Sequence, residues 1–411
     1  MILYDIGIWF YEKAIHLATL RSRKAQLWCD GRRGLLQRIE QDTLACERVV
    51  WIHAASLGEF EQGRPIIERL KALRPKVRVV LTFFSPSGFE IRKNYPAADR
   101  IYYLPTDKPD NVRRFLDAVR PEVAIFIKYE FWLNYLAELR RRGIATILVS
   151  AIFRRNSIFF RPWGGAWRRA IRGYSHLYVQ DSASEQLLRT IGVENITVAG
   201  DTRFDRVRAI AEQAKQLPIV ERFRGNSPLF VAGSTWQRDE ELLLDLINRY
   251  PTVRFLVAPH EMDERRIAWL MRGVRGGAMR YTEATTESDF SRVQVLILDT
   301  IGILSSAYAY ARWAYIGGGF GAGIHNTLEA ATYGLPIAFG PKYHKFREAK
   351  DMVALGVATS VKNKEQLCAW FQQLHSDEAY YDEICAKARH YTHEHCGATA
   401  IIVDDVLSRL K

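Results

Sequence analysis

Glu59 closes the run His53-Ala54-Ala55-Ser56-Leu57-Gly58-Glu59, where an apolar segment gives way to a helical pattern through Ile66, Ile67, Leu70 and Leu73. A carboxylate at a strand's carboxyl end and a helix N-terminus is favoured in its ionised form by the helix dipole. That is the form a general base needs. The same spacing has a purely structural reading, because Ser56-x-x-Glu59 is also a capping box that satisfies orphan amides. Gly58 allows a ligand close to the backbone, or serves as a turn residue. A second run, Gly317-Gly318-Gly319-Phe320-Gly321-Ala322-Gly323-Ile324-His325-Asn326, leads into a helix expected to hold Thr327, Leu328, Glu329, Ala330, Ala331 and Tyr333. Bare amides at a helix start bind anions, so a phosphate is expected there. Glu329 suits a hydrogen bond to a ribose or base, or it merely serves the helix dipole. Gly317-x-Gly319-x-x-Ala322 fits a loose dinucleotide fingerprint, but it lies late in the chain and lacks the acid that would bind a ribose.

Further candidates end other apolar runs: Pro259-His260-Glu261, Asp299-Thr300-Ile301-Gly302, Lys128-Tyr129-Glu130 and Gly200 to Asp205. A charged pair such as Lys128 and Glu130 leaving a buried strand is costly unless it is paired or at a site. A lone histidine after a strand, such as His260, is more often structural than functional. No HExxH, DxD or calcium-type loop occurs, so no metal site is expected.

Positioning these residues takes strands. Six runs fall in the first half, at Val49–Ala54, Val77–Phe84, Val123–Tyr129, Ala145–Phe153, His176–Gln180 and Ile196–Ala199. Six more fall at Leu229–Gly233, Val253–Ala258, Val293–Leu298, Trp313–Ile316, Ile337–Gly340 and Val357–Val361. Runs apolar on both faces and separated by helix-length segments indicate parallel strands in α/β layers. The fold class expected is therefore α/β, with two doubly wound, Rossmann-like domains facing across a cleft and ligands beyond the strands' carboxyl ends. The expected divisions are an N-terminal amphipathic helix (1–24), a first domain (25–205), a linker (206–228) and a second domain with C-terminal helices (229–411).

Within residues 2–20, Asp5, Glu12, His16 and Thr19 share one helical stripe, and Ile2, Leu3, Ile6, Ile8, Trp9, Phe10, Ile15, Leu17 and Leu20 fill the rest. Such a helix suits a membrane interface or the core of its own domain. The formal charge of +12 is uneven: residues 139–180 hold nine arginines among aromatics and no acid. That stretch points to phosphates, as nucleic acid, anionic lipid or a phosphorylated substrate. No run reaches the roughly 18–20 apolar residues of a spanning helix, and no secretory signal is expected. The five cysteines (Cys29, Cys46, Cys368, Cys385, Cys396) include no CxxC pair and read as reduced thiols in a cytosolic compartment.

Taken together, Trp51 to Glu59, Glu130-Phe131-Trp132, Gly200 to Asp205, Asp299-Thr300-Ile301-Gly302 and His325 to Ala331 resemble the bacterial Kdo transferases, over about residues 49 to 350. Those enzymes add 3-deoxy-D-manno-octulosonic acid (Kdo) from CMP-Kdo to a lipid A precursor. The resemblance implies a GT-B glycosyltransferase that binds acceptor in its first domain and CMP-sugar in its second. It implies Glu59 as general base in an inverting displacement, with transition-state support from Glu130 and Arg203. It implies CMP contacts at Pro259, His260, Ile301, Gly302, Ile303, Asn326, Thr327, Leu328 and Glu329. No metal or other cofactor is implied. The partners implied are CMP-Kdo, a lipid A precursor and the anionic cytoplasmic face of the inner membrane, with no nucleic acid. Four positions depart from the family pattern. His260 stands where arginine is frequent, Ile324 where glycine is, Lys128 where an acid is, and Arg203 where lysine is. Two rival readings are a GT-B transferase using a UDP-sugar and a basic, non-catalytic nucleic-acid or anionic-surface binding protein. No RRM, KH, zinc-finger or helix-turn-helix signature supports the last.

Overall fold

The computed structural model describes residues 2–42 and 48–410, and Cys46 lies outside them. Two compact units form, one from residues 1–205 and 396–411, the other from residues 206–395. The first unit holds β1 (Val49–Ala54), β2 (Arg78–Phe83), β3 (Arg100–Tyr103), β4 (Val123–Ile127), β5 (Ala145–Ala151), β6 (His176–Val179) and β7 (Ile196–Val198). They form one sheet in the order β3-β2-β1-β4-β5-β6-β7, with every paired neighbour parallel. The second unit holds β8 (Leu229–Thr235), β9 (Arg254–Pro259), β10 (Ala278–Arg280), β11 (Val295–Ile297), β12 (Trp313–Ile316), β13 (Ile337–Phe339) and β14 (Ala358–Ser360). Their order is β10-β11-β9-β8-β12-β13-β14, again parallel throughout.

Two doubly wound sheets are thus present, as expected, but with seven strands each instead of six. The unforeseen strands, β3 and β10, lie at sheet edges. An edge strand has one neighbour and need not be apolar on both faces, so Arg100 and Arg280 fit there. Central strands show why the others were legible. In β1, Val49 and Trp51 enter the core on one face of the sheet, and Val50, Ile52 and Ala54 enter the core on the other.

Three expectations are revised or narrowed. Residues 206–228 are not a bare linker: helices Thr202–Glu212 and Pro218–Arg224 occupy most of it, and Val220 and Phe223 are buried. The helix Ala398–Arg409 belongs to the first unit and not with 229–395. Its Ile402, Val403 and Val406 fill the sheet face shared with Ile66, Ile67 and Leu70 of helix Leu57–Leu73. Asp205 fixes its start, accepting the Gly397 amide at 2.5 Å and the Thr399 amide at 2.7 Å. Asp205→Ala removes both acceptors and is expected to lower unfolding stability by about 2 kcal/mol, checked by urea denaturation.

The third concerns helix Ile2–Ala18, which has no buried residue and is therefore not a core helix. Its polar stripe faces its own unit. The Tyr4 hydroxyl donates to Asp107 at 2.6 Å, Asn134 Nδ2 donates to Asp5 at 2.8 Å, and Glu12 pairs with Lys108. Its apolar face points outward, with Leu3 87%, Phe10 61% and Leu17 70% exposed. Among the described residues no helix is long and apolar enough to cross a membrane.

Candidate functional site

In a sheet ordered β3-β2-β1-β4-β5, the segments leaving β1 and β4 diverge to opposite sides, and a crevice opens between them at the carboxyl edge. Glu59 follows β1 and Glu130 follows β4. Ser56 begins helix Leu57–Leu73, yet its side chain caps no backbone amide. Its hydroxyl donates instead to the Glu59 carboxylate. The capping-box alternative is therefore not what forms. Glu59 is half-buried in the first turn beside the exposed Gly58, so its carboxylate is reachable.

Glu130, only 7% exposed, ends a chain of hydrogen bonds that fixes its place. Trp51 Nε1 can only donate, and does so to Thr82 Oγ1 at 2.8 Å. His53 Nδ1 lies 2.8 Å from the Thr82 hydroxyl and 3.1 Å from the Thr82 carbonyl oxygen, so Thr82 holds that side of the ring in either tautomer. His53 Nε2 donates to Glu130 Oε2 at 3.0 Å, and Trp132 Nε1 donates to the same oxygen at 2.6 Å. The Tyr174 hydroxyl holds the Glu130 carbonyl at 2.5 Å.

Arg203 is gripped by Asp201, with Nε 2.9 Å and a terminal nitrogen 2.7 Å from Oδ2. Burial pushes the Asp201 carboxyl up, but Arg203 outweighs this and, with Lys128, holds it below the usual carboxylate range. Gln62, three residues after Glu59 on the same helix, donates to both Asp201 oxygens at 3.2 Å. Lys128 takes a left-handed backbone (φ 65°) at the end of β4, a strain typical of functional loops. Lys128, Asp201, Arg203 and Gln62 thus form one cluster, anchored to the helix that presents Glu59.

In the second unit the corresponding divergence lies between β8 and β12. A bulge ends β8, with Ser234 left-handed at φ 53°. The glycine run follows β12, and a Cβ on Gly317 would lie 2.2 Å from the Ser234 carbonyl oxygen, so only glycine fits. Gly318, at φ 90°, gives its amide to Asp239 at 2.9 Å. The amides of Gly321, Gly323 and His325 also bond within the loop. The run is therefore less a cradle of bare amides than the sequence implies. The helix after it spans only Leu328–Ala331, so its dipole is small.

Three rings stack where β8, β9 and the glycine run meet. Trp236 and His260 lie 4.9 Å apart and His260 and His325 lie 4.2 Å apart, both nearly parallel. Trp236 Nε1 donates to His325 Nε2 at 3.1 Å. Burial, with a smaller push from His260, lowers the His325 ring to about 4. An imidazole depressed from its ordinary value near 6.5 favours the fold while neutral. Its contribution is full above that value and is lost as pH falls toward 4. A proton-NMR titration assigned with His325→Gln is expected to find its midpoint near pH 4. A midpoint at the ordinary histidine value contradicts the stack.

Asn326 Nδ2 donates to Glu329 at 2.9 Å, and burial pushes the Glu329 carboxyl up, partly offset by Asn326 and Arg206. The Thr327, Leu328 and Pro259 side chains are buried, which leaves those positions their backbone to offer. Ile301 is 91% exposed, Gly302 is left-handed, and Ile303 begins helix Leu304–Ala307. The structure therefore groups His260 with His325 and Asn326 with Glu329, while Ile301 stands in solvent. Sequence reasoning gave no role to His53, Gln62, Trp236 or Asp239. Trp236 was visible as an aromatic leaving a strand end, but it was obscured because β8 runs two residues past the expected Gly233. Among the described residues no group of three or more His, Cys, Asp or Glu is placed to hold a metal ion.

Residues 29–206 match the family model described as 3-deoxy-D-manno-octulosonic-acid transferase (kdotransferase). The chain is 29% identical over 373 residues to the 3-deoxy-D-manno-octulosonic acid transferase of Bordetella pertussis, covering 86% of each. It is 26% identical over 336 residues to the enzyme of the same name from Aquifex aeolicus, covering 80% of this chain and 86% of that one. Among solved structures it resembles the UDP-GlcNAc 2-epimerase of Neisseria meningitidis (TM-score 0.61, 15% identity, 88% of this chain and all of that one, 100%). It also resembles Acinetobacter baumannii MurG (TM-score 0.53, 14% identity, 88% and 99% covered). These likenesses are of fold, and they agree with the two-Rossmann-domain GT-B class.

Proposed function

We propose, from its likeness to the Kdo transferases over both units, that the chain carries Kdo from CMP-Kdo to a lipid A precursor. It is a glycosyltransferase of lipopolysaccharide biosynthesis. The observation that carries the finer reading is the Glu59 carboxylate, presented at the β1 end with Ser56 bonded to it and not to the helix backbone.

The acceptor sugar hydroxyl gives its proton to Glu59, and its oxygen attacks the anomeric carbon of Kdo. The bond from that carbon to the CMP phosphate breaks, and CMP leaves with the electron pair in a single inverting step. Glu130, fixed by His53 and Trp132, and Arg203, fixed by Asp201, supply charge that needs no rearrangement as the reaction proceeds. The second unit takes CMP-Kdo, with the Trp236–His260–His325 stack and the Asn326–Glu329 pair as its polar and aromatic contacts. Gly302, Ile303 and the backbone at Pro259, Thr327 and Leu328 complete that set. The step needs neither metal nor cofactor, since proton acceptance falls to a side chain.

The outward apolar face of helix Ile2–Ala18 lies in the anionic cytoplasmic surface of the inner membrane, which presents the lipid acceptor. Flotation with anionic vesicles, with and without residues 1–20, tests that placement. The transfer itself is tested by mass spectrometry of a lipid A precursor incubated with protein and CMP-Kdo. The expected product carries added Kdo, and calorimetry is expected to find CMP bound at least about tenfold tighter than UDP, roughly 1.4 kcal/mol. An unchanged lipid together with a preference for UDP overturns the reading in favour of a UDP-sugar transferase.

A further inference from the structure

A cavity of about 450 Å³ lies in the first unit, among the start of helix Ile2–Ala18, helix Leu133–Arg141 and helix Gly165–Ile171. Leu3, Leu133, Leu136, Ala137, Ala166 and Ala170 line it, and the lining also includes Arg140 and Arg169. The Tyr4 hydroxyl points elsewhere, to Asp107.

The other arginines of those two helices and their ends are engaged. Arg141 and Arg142 pair with Glu138 at 2.6 and 2.8 Å. Arg168 donates to the carbonyls of Phe159 and Arg161 at 3.0 and 2.7 Å, and Arg172 donates to that of Ile191. Arg140 and Arg169 have no ion-pair partner among the described residues, and no acid occurs anywhere in residues 139–180. Two uncompensated cations beside an apolar slot ask for a ligand with both characters. A free phosphate would leave the leucine and alanine walls unused, and an uncharged chain would leave the arginines so. The slot is continuous with Leu3 on the outward face of the N-terminal helix, 87% exposed.

We propose that this slot binds one acyl chain of an anionic phospholipid, with Arg140 and Arg169 meeting its phosphate. The protein then holds a single lipid in a defined place, beyond any general adhesion of its N-terminal helix. The inference stands independently of the transfer reaction.

The test uses the full chain and dioctanoyl phosphatidylglycerol as dispersed monomers, read by calorimetry. One lipid per chain is expected to bind, with dioctanoyl phosphatidylcholine and inorganic phosphate each at least about tenfold weaker. Ala137→Trp and Ala166→Trp, at exposed helix positions, fill the slot. Each is expected to weaken lipid binding about tenfold or more, equivalent to displacing roughly two methylenes. Arg140→Gln with Arg169→Gln is expected to abolish the preference for the anionic head and leave chain binding. Equal affinity for the two lipids, or unchanged affinity in both tryptophan variants, overturns the proposal. So does a raised KM for the lipid acceptor in those variants without any loss of phospholipid binding, which would give the slot to the acceptor. Vesicle flotation of the same variants reads the helix separately, and it is expected to be unchanged.

Discussion

Glu59→Gln is expected to lower kcat by about 10²–10⁴, the usual contribution of a general base, with little change in KM for either substrate. Glutamine keeps the size of the side chain and still offers an oxygen to the Ser56 hydroxyl, but it cannot take a proton at neutral pH. Its effect therefore falls on the step in which the acceptor hydroxyl is deprotonated. Helix Leu57–Leu73 is held by Phe60, Ile66, Ile67 and Leu70 in the core and not by Glu59, so the variant is expected to melt as the unaltered chain does. Turnover within threefold of the parent in a folded Glu59→Gln protein, measured with CMP-Kdo and a lipid A precursor, would sink the base assignment.

The second large effect is expected at Glu130. Glu130→Ala strands one buried donor, His53 Nε2, and one half-buried donor, Trp132 Nε1, which now share one carboxylate oxygen. An unsatisfied buried donor costs about 1–3 kcal/mol and solvent relieves the half-buried one, so the variant is expected to lose roughly 1–3 kcal/mol of unfolding stability. Glu130→Gln retains an acceptor oxygen and is expected to recover most of that loss while remaining slow, because the negative charge is gone. The stability is read from denaturation midpoints and the rate from kcat. Equal stability of the alanine and parent proteins would mean that the Trp51–Thr82–His53 chain finds its acceptor elsewhere.

The contrast between these two carboxylates also marks what a linear sequence reveals. Glu59 was legible because its motif is local, a strand followed at once by Ser56 and a helix. Whether Ser56 caps the helix was not, since that turns on where one hydroxyl points. Glu130 drew notice as a charge leaving a buried strand, but its partner His53 lies 77 residues earlier in chain order. Only the pairing of β1 with β4 brings them together. The ten inner strands announced themselves by being apolar on both faces and the edge strands β7 and β14 by their short apolar runs, whereas the other two edge strands, β3 and β10, did not. Likewise the stripe of Asp5 and Glu12 was plain from spacing. That it faces inward, leaving the apolar side out, depends on Asn134 and Lys108 more than ninety residues away.

The helix Ala398–Arg409 has a bearing on how the protein comes to be made. The sheet face it covers, with Ile52, Ile66 and Leu81 beneath, is complete in sequence by residue 198, but its cover is not. Some 190 residues of the second unit must leave the ribosome first. At about 5–20 residues per second, that interval is roughly 10–40 s. Throughout it the nascent first unit shows an uncovered aliphatic surface, in addition to the exposed apolar face of its N-terminal helix. Its packing is thus an event that follows synthesis of the second unit, and the growing chain is a natural client for a chaperone.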